Sequence, residues 1–501
     1  HRVDRRQRQM CIRDRIKPYQ VLAFVAGVLL VMSPIVYFAP DKGYDLGFMK
    51  LNFLTAEEFL HPVKPEKKDI SKIVANIDTT SLDLNDDPML RHQNGSEGNM
   101  GAPSGGTMNT ESNTEIILND AARAQLHQLF SKLDKAAPDK KKLHILHYGD
   151  SQIEGDRMTA YIRQRIQNQF GGNGPGLIPA MNVYHTNTFK QTYSENFRRF
   201  TCFGGEKLKN KKYGVMGSAA RFTADSDSLL KNQGPTVEAW IEFEPNKSAY
   251  SRSKEYNNVT MYYNSCVKPC MLKVYQNGSL IHEDSLSTDG KSHEVHLSFP
   301  NTPGKLKYVF SSTYSPNISG FSLEGDYGVQ VSNIGMRGSS GTIFGSMDQT
   351  LLSKMYGDLN TELVIMQFGG NSVPAFKDSS GVRNYARYFK GQLNTIRKLR
   401  PSAAIVVIGP SDMSTPDNGN FITYPLLPYL VEQMKKSTLE AGYAYWDLYS
   451  AMGGQNSMPS WVEAGLAAKD YIHFSPKGAS IASQMFFDAF AAEYTKWKQG
   501  K

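Results

Sequence analysis

Residues 143–151 read Leu143-His144-Ile145-Leu146-His147-Tyr148-Gly149-Asp150-Ser151, and the rest of the fold is read outward from them. Residues 143–147 form a short, mostly apolar run of the kind that makes a fully buried strand. Ahead of it, Ala122, Leu126, Leu129, Phe130 and Leu133 recur at helical spacing. Behind it, Met158, Ile162, Ile166 and Phe170 mark a second amphipathic helix. Ser151 therefore stands at a strand-to-helix turn. The alternation returns late in the chain, with strands expected at 363–367, 404–408 and 443–448. The helices between and after them carry Tyr388, Leu393 and Ile396, then Leu427, Leu430, Val431 and Met434, then Ile481, Met485, Phe486 and Phe490. This order predicts an α/β fold, a mostly parallel sheet flanked by helices.

Between 196 and 330 the period changes to two. Val237, Ala239, Ile241 and Phe243 alternate with Glu238, Trp240, Glu242 and Glu244, and Asn277-Gly278 sits between two strand-like runs as a hairpin turn. An inserted all-β domain of jelly-roll or sandwich type is expected there. Cys266 and Cys270 fall inside it, close enough to bridge in an oxidising compartment and equally able to remain thiols. Of the insert's aromatics, Trp240, Tyr262, Tyr263 and Tyr275 offer faces for sugar stacking, with at least half expected in the core.

The N-terminal region is built differently. Residues 19–39 contain no charged side chain, long enough as a helix to cross a bilayer, so a transmembrane anchor is expected there, with a cleaved signal peptide as the alternative. Arg2, Arg5, Arg6, Arg8, Arg13, Arg15 and Lys17 precede it against Asp4 and Asp14, so most of the net charge of +8 lies on residues 1–18. The positive-inside rule makes that stretch a cytoplasmic tail and places the remainder outside. Residues 1–15 also read as translated adapter sequence, which leaves Lys17 to carry the orientation. Residues 40–115 read as an arm and then a flexible tether, since 81–113 are rich in Asn, Gly, Ser and Asp with almost no aliphatic content. With the tail set aside there is no clustered basic surface, so a nucleic-acid partner is not expected. The expected order is tail, anchor (19–39), arm and tether, first α/β part (116–195), β insert (196–330) and second α/β part (331–501).

Acyl transfer needs a nucleophile, a base, a carboxylate to orient the base and donors for the oxyanion. Ser151 supplies the first. Asp470-Tyr471-Ile472-His473 places a carboxylate three residues before an imidazole, just ahead of a helix that Ser475-Pro476 would open. Asn333-Ile334-Gly335-Met336-Arg337-Gly338 and Phe368-Gly369-Gly370-Asn371 each follow a strand and bring a backbone N–H and a side-chain amide to the same sheet edge. His144 and His147 read as core histidines and Asp150 as support for the turn. Residues 172–176 (Gly-Asn-Gly-Pro-Gly) read as a plain turn, because no Lys-Ser/Thr follows them. His, Cys, Asp and Glu do not cluster at ligand spacing, so no metal and no cofactor are expected.

Those four blocks, in that order, resemble the GDSL or SGNH hydrolase superfamily over about residues 116–501. The resemblance implies Ser151 as nucleophile, His473 with Asp470 as base pair, and Gly338 and Asn371 in the oxyanion hole, with Gly335 as the alternative glycine. Gln152 stands where the family usually has Leu, which looks like the envelope-glycan O-acetylesterases and O-acetyltransferases. Ser372 follows Asn371 where an acidic residue is usual. The long stretch between Ser151 and Gly338 is similar to the carbohydrate-module-like insertion of peptidoglycan O-acetylesterases.

The expected function is a membrane-tethered serine esterase that removes acetyl groups from an envelope polysaccharide, on the outer side of a bacterial inner membrane. An O-acetyltransferase using the same triad, fed by a membrane-bound acyl-donor protein, is the alternative, and a non-catalytic glycan-binding protein is the second. The substrate-binding residues are not identified by the sequence.

Overall fold

A computed structural model describes residues 17–37, 44–45, 50–51, 68–71, 73, 115–231, 234–417 and 419–500. Residues 1–16 of the expected tail (1–18) and the tether (81–113) lie outside the described residues. The chain divides into two units, His1–Glu66 with Pro416–Asn420, and Lys67–Thr415 with Phe421–Lys501.

In the first unit, helix α1 runs Pro18–Tyr37 without a charged residue, and Leu22, Phe24, Leu29 and Leu30 are exposed on it. Among the described residues no helix is long and apolar enough to cross a membrane. The full length of α1 includes Ile35 and Val36, whose side chains are outside the described set. Two short strands, Tyr44–Asp45 and Lys50–Leu51, pair antiparallel.

The second unit starts its regular structure with α2 (Asp120–Ala136), whose N-cap Asn119 accepts from the Ala122 N–H. Strand β1 (Lys142–Gly149) and helix α3 (Thr159–Phe170) follow. Antiparallel strands begin already at Gly176: β2 (Gly176–Ile178), β3 (Phe189–Tyr193), β4 (Arg198–Thr201), β5 (Ser218–Arg221), β6 (Val237–Pro245), β7 (Asn258–Asn264), β8 (Cys270–Gln276), β9 (Ser279–Ser285), β10 (His293–Ser298), β11 (Leu306–Ser312) and β12 (Asn317–Glu324). They make one sheet of order β9-β8-β11-β6-β3 and another of order β10-β7-β12-β5-β4, with β2 joined to β12. Inward faces of both sheets share a core that includes Phe243, Tyr308 and Phe321. Their rings meet edge-on or tilted at 4.9 and 5.0 Å, and such pairs add about 0.5–1.5 kcal/mol each beyond buried area. β8 and β9 are joined through Asn277 and Gly278, both at positive φ as a primed hairpin turn requires.

The chain then returns to the parallel sheet with β13 (Gly328–Gly335), β14 (Thr361–Gln367), β15 (Ala404–Ile408) and β16 (Ala444–Trp446). The order is β13-β1-β14-β15-β16, and every pair is parallel. Side chains alternate between the two faces. Ile145, Val331, Ile365 and Val406 pack with α2, α3 and the last helix, α6 (Pro476–Gln499). Leu146, Tyr148, Ile334 and Val364 pack with α4 (Ser379–Leu399) and α5 (Leu427–Glu440). Leu177, Phe200, Met216 and Tyr262 of the antiparallel part belong to that same second core. The two parts of this unit are therefore joined by apolar packing as well as by the chain.

Cys266 and Cys270 are both free and buried, the second of the two states left open by their spacing. Each lies in the antiparallel core, where burial pushes the thiols up to about 11 and about 12. Tyr262 and Tyr263 are buried, while the Lys307 ammonium sits 4.5 Å over the Trp240 ring.

Candidate active site

β1 ends at Gly149, and the chain turns out of the sheet through Asp150 and Ser151. The Asp150 carboxylate accepts from the Gln152 N–H at 3.0 Å, which ties the turn. Burial pushes its pKa up to about 6, against the pull of that N–H and of His473. Ser151 is left half-buried at the sheet edge.

His473 arrives from the other end of the chain. Between Asp470 and His473 the backbone reverses at Tyr471, which takes a left-handed φ of 58° and is held by stacking on Phe421 at 3.7 Å. The reversal lets one carboxylate reach three donors. Asp470 Oδ1 accepts the N–H groups of Ile472 and His473, both at 3.0 Å, and Oδ2 accepts His473 Nδ1 at 2.7 Å. Partial burial pushes this carboxyl up, but the hydrogen bonds from His473 and Ile472 outweigh it and hold the pKa below the usual range. With its Nδ1–H donated to Asp470, the imidazole has Nε2 free to accept, and Ser151 Oγ lies 2.8 Å from it. Ser475 then caps α6 by accepting the Gly478 N–H.

Gln152 lies across this arrangement. Its amide Nε2 donates to the Ile472 carbonyl at 2.6 Å and to Ser411 Oγ at 3.2 Å, while its Oε1 accepts the Phe474 N–H at 3.4 Å. The residues on either side of His473 are thus fixed to the residue after Ser151. A leucine at 152 has the volume but neither the donor nor the acceptor.

Asn371 lines a cavity of about 150 Å³ together with Ser151, Gln152, Pro374, Met413 and His473. One N–H of its amide donates to the Ser339 carbonyl at 3.0 Å, which leaves the second for a bound oxygen. The two candidate glycines are distinct in structure. Gly335 closes β13 opposite Gly149, and a Cβ there would come within 3.2 Å of the Glu154 Cα. Gly338 sits one residue before Ser339 in the following turn at φ 77°, with open space on its Cβ side. It is Gly338 that neighbours the carbonyl to which Asn371 is tied.

The other histidines of β1 are occupied. His147 is fully buried between Gln367 Oε1 at 3.1 Å and Thr159 Oγ1 at 3.0 Å, and burial pushes it down to about 4. His144 faces Glu324 at 3.3 Å. Burial alone would raise the Glu324 carboxyl, but His144 and Lys142 bring it to about 2.

A second, larger cleft of about 760 Å³ opens on the other side of Ser151 and His473, walled by Glu154, Arg157, His185 and Arg337 among others. None of these four was anticipated. Glu154 and Arg157 lie close to Ser151 in sequence, but His185 and Arg337 meet them only through the fold. The loop that carries His185 rests directly on Gly155 (φ 67°), where any Cβ would run into the His185 carbonyl oxygen. It is also pinned by Thr188 Oγ1 on Asp156, whose carboxylate is held by the buried Arg163.

Compared with solved structures, the chain superposes on a peptidoglycan O-acetylesterase with a TM-score of 0.58 at 18% identity, over 75% of this chain and 98% of that one. The fold is of the SGNH type. No family model and no curated protein matches this sequence. A family two carbohydrate esterase from Clostridium thermocellum (TM-score 0.20, 12% identity, 54% of this chain and 95% of that one) and a salicylyl-acyltransferase of a tetracycline biosynthetic pathway (TM-score 0.24, 12% identity, 60% and 96%) are also similar, at scores too low to carry structural argument.

Proposed function

We propose that this protein is a serine esterase that removes O-acetyl groups from a cell-envelope polysaccharide. The observation that carries the reading is the unbroken hydrogen-bonded chain from Ser151 Oγ through His473 to Asp470, at 2.8 and 2.7 Å, on a fold shared with a peptidoglycan O-acetylesterase. His473 Nε2 takes the Ser151 proton as Oγ attacks the acetyl carbon, and Asp470 stabilises the imidazolium that forms. The free N–H of Asn371 and the Gly338 N–H receive the oxyanion. His473 then returns the proton to the departing sugar hydroxyl. Water, activated by the same imidazole, releases acetate from Ser151.

α1 serves in this reading as the membrane anchor, and the enzyme works outside a bacterial inner membrane. The test is acetate release from O-acetylated peptidoglycan by the full chain, with and without oligosaccharide acceptors. Free acetate in both cases supports the esterase. Acetylated oligosaccharide at the expense of free acetate makes it an O-acetyltransferase, and no release or transfer with either rejects both.

A further inference from the structure

The larger cleft beside Ser151 has a charged wall whose members are not used by acyl transfer. Glu154 is buried there, with Oε1 facing Arg337 at 3.5 Å and Arg157 at 3.9 Å. Arg337 Nη1 donates a long hydrogen bond and Arg157 makes an ion pair only, against the about 2.7–3.2 Å of a well-formed N–H···O bond. Glu154 Oε2 is buried with no hydrogen-bond partner. A pair of arginines present only to neutralise one carboxylate would close on both its oxygens. Here two guanidiniums, each with five donors in a rigid fork, share one oxygen at long range. The Arg337 side chain is 63% exposed and the Arg157 side chain 30%.

The remaining charges of the wall do not cancel them. Asp470 is taken up by His473 and two backbone N–H groups. The wall is built rather than loose, since the His185 loop is seated on Gly155 and pinned through Thr188 and Asp156. A volume of about 760 Å³ lies within the about 300–1,000 Å³ usual for a ligand cleft.

We propose that Arg337 and Arg157 bind a carboxylate carried by the glycan itself, so that the preferred substrate is an O-acetylated acidic polysaccharide. The proposal rests on the esterase reading and names its substrate class. A guanidinium fork matches a planar carboxylate with two parallel N–H···O bonds. Because the same cleft is lined by Ser151 and His473, holding the carboxylate fixes the polymer relative to the acyl group.

The experiment compares acetate release by the full chain from two polymers, O-acetylated polygalacturonate and the same polymer reduced at its carboxyl groups and acetylated to the same extent. The readout is the ratio of kcat/KM values, acidic over neutral, in which any general loss of turnover cancels. The parent protein should favour the acidic polymer about tenfold at low ionic strength, the worth of one charge-assisted hydrogen bond. That preference should shrink toward one in about 1 M salt. Arg337→Gln and Arg157→Gln should each lower the ratio, and Arg337→Glu should bring it below one. Equal rates on the two polymers in the parent, or a preference that survives both Gln variants, would overturn the acidic-substrate proposal and leave the esterase reading standing. No release from either polymer while p-nitrophenyl acetate is turned over would remove the glycan reading, and the proposal with it.

Discussion

The parallel strands of this protein are buried on both faces, whereas several antiparallel strands are buried on one face at most, and only the parallel part gathers chemistry. In the parallel sheet, β1, β13 and β14 run the same way and end together, so the turns carrying Ser151, Gly338 and Asn371 leave from one edge. In the antiparallel sheets, hydrogen-bonded neighbours run in opposite directions, and their loops scatter to both ends. Strand direction, more than residue composition, assembles the site. The antiparallel part reaches the cleft through the short His185–Asn187 loop that precedes β3.

The largest test of that contrast is Ser151→Ala, which should lower kcat on an acetyl ester by about 10⁴-fold or more, because nucleophile and base act as a unit. Retention of a tenth of the activity would place the nucleophile elsewhere. Phe243→Ala, in the antiparallel core, should cost about 3–5 kcal/mol of stability. Leu177, Phe200 and Tyr262 join the core under the parallel sheet, so thermal unfolding should stay a single transition at a lower temperature. Two separated transitions in calorimetry would mean that the parts are energetically independent.

Asn371→Ala probes one loop of the gathered edge. Loss of an oxyanion donor should reduce kcat by about 10²–10³-fold with little change in KM, and a change confined to KM would assign the amide to substrate contact. Gln152→Leu, which keeps the volume and removes the amide, should lower kcat by about 10- to 100-fold, the scale of a small misplacement of a catalytic group. The effect should fall on kcat, with the protein folded by circular dichroism and KM held. Wild-type kinetics in the Leu variant would show that the clamp on Ile472 and Phe474 does not position His473.

The smallest effect concerns pH. Asp150 and Asp412 are buried, and burial raises both carboxyls to about 6. The folded state therefore holds these protons more tightly than the unfolded chain. Their contribution to stability is present at low pH and is lost as pH rises from the usual carboxylate range through about 6. Asp150→Asn should flatten the melting temperature against pH across that window and leave the share due to Asp412. An unchanged slope would mean that Asp150 titrates normally.

Ser151 at its turn and the pair Asp470 and His473 were legible in the sequence because their geometry is local: a strand end, a helix start, a three-residue reversal. The alternation from Val237 to Phe243 was legible for the same reason, since each side chain reports its own face. Gln152 was visible only as a departure from the usual leucine, because what it holds lies more than 300 positions away. The charged wall was invisible, since Arg337 and His185 come near Glu154 only after the sheet has closed. β2, three residues without alternation, left no periodic signal, so the antiparallel strands begin ahead of the expected boundary at 196. Cys266 and Cys270 looked able to bridge by spacing, and spacing does not report that both stay free, with the Cys266 thiol on the Lys268 carbonyl.

The position of β1 in the sheet has a consequence for how the chain is made. β1 lies between β13 and β14, and β2 to β12 are encoded before either neighbour. During synthesis the apolar run 143–148 leaves the ribosome with both of its pairing edges bare, and it stays so until the whole excursion from Gly176 to Glu324 has been translated. The antiparallel strands can pair among themselves in that interval, domain by domain as nascent chains do. The sheet that bears Ser151 closes last, so a chain truncated before residue 328 would carry the nucleophile on an unpaired strand, and one truncated before residue 361 on a strand paired along one edge only, a target for chaperones and proteases and not yet an enzyme.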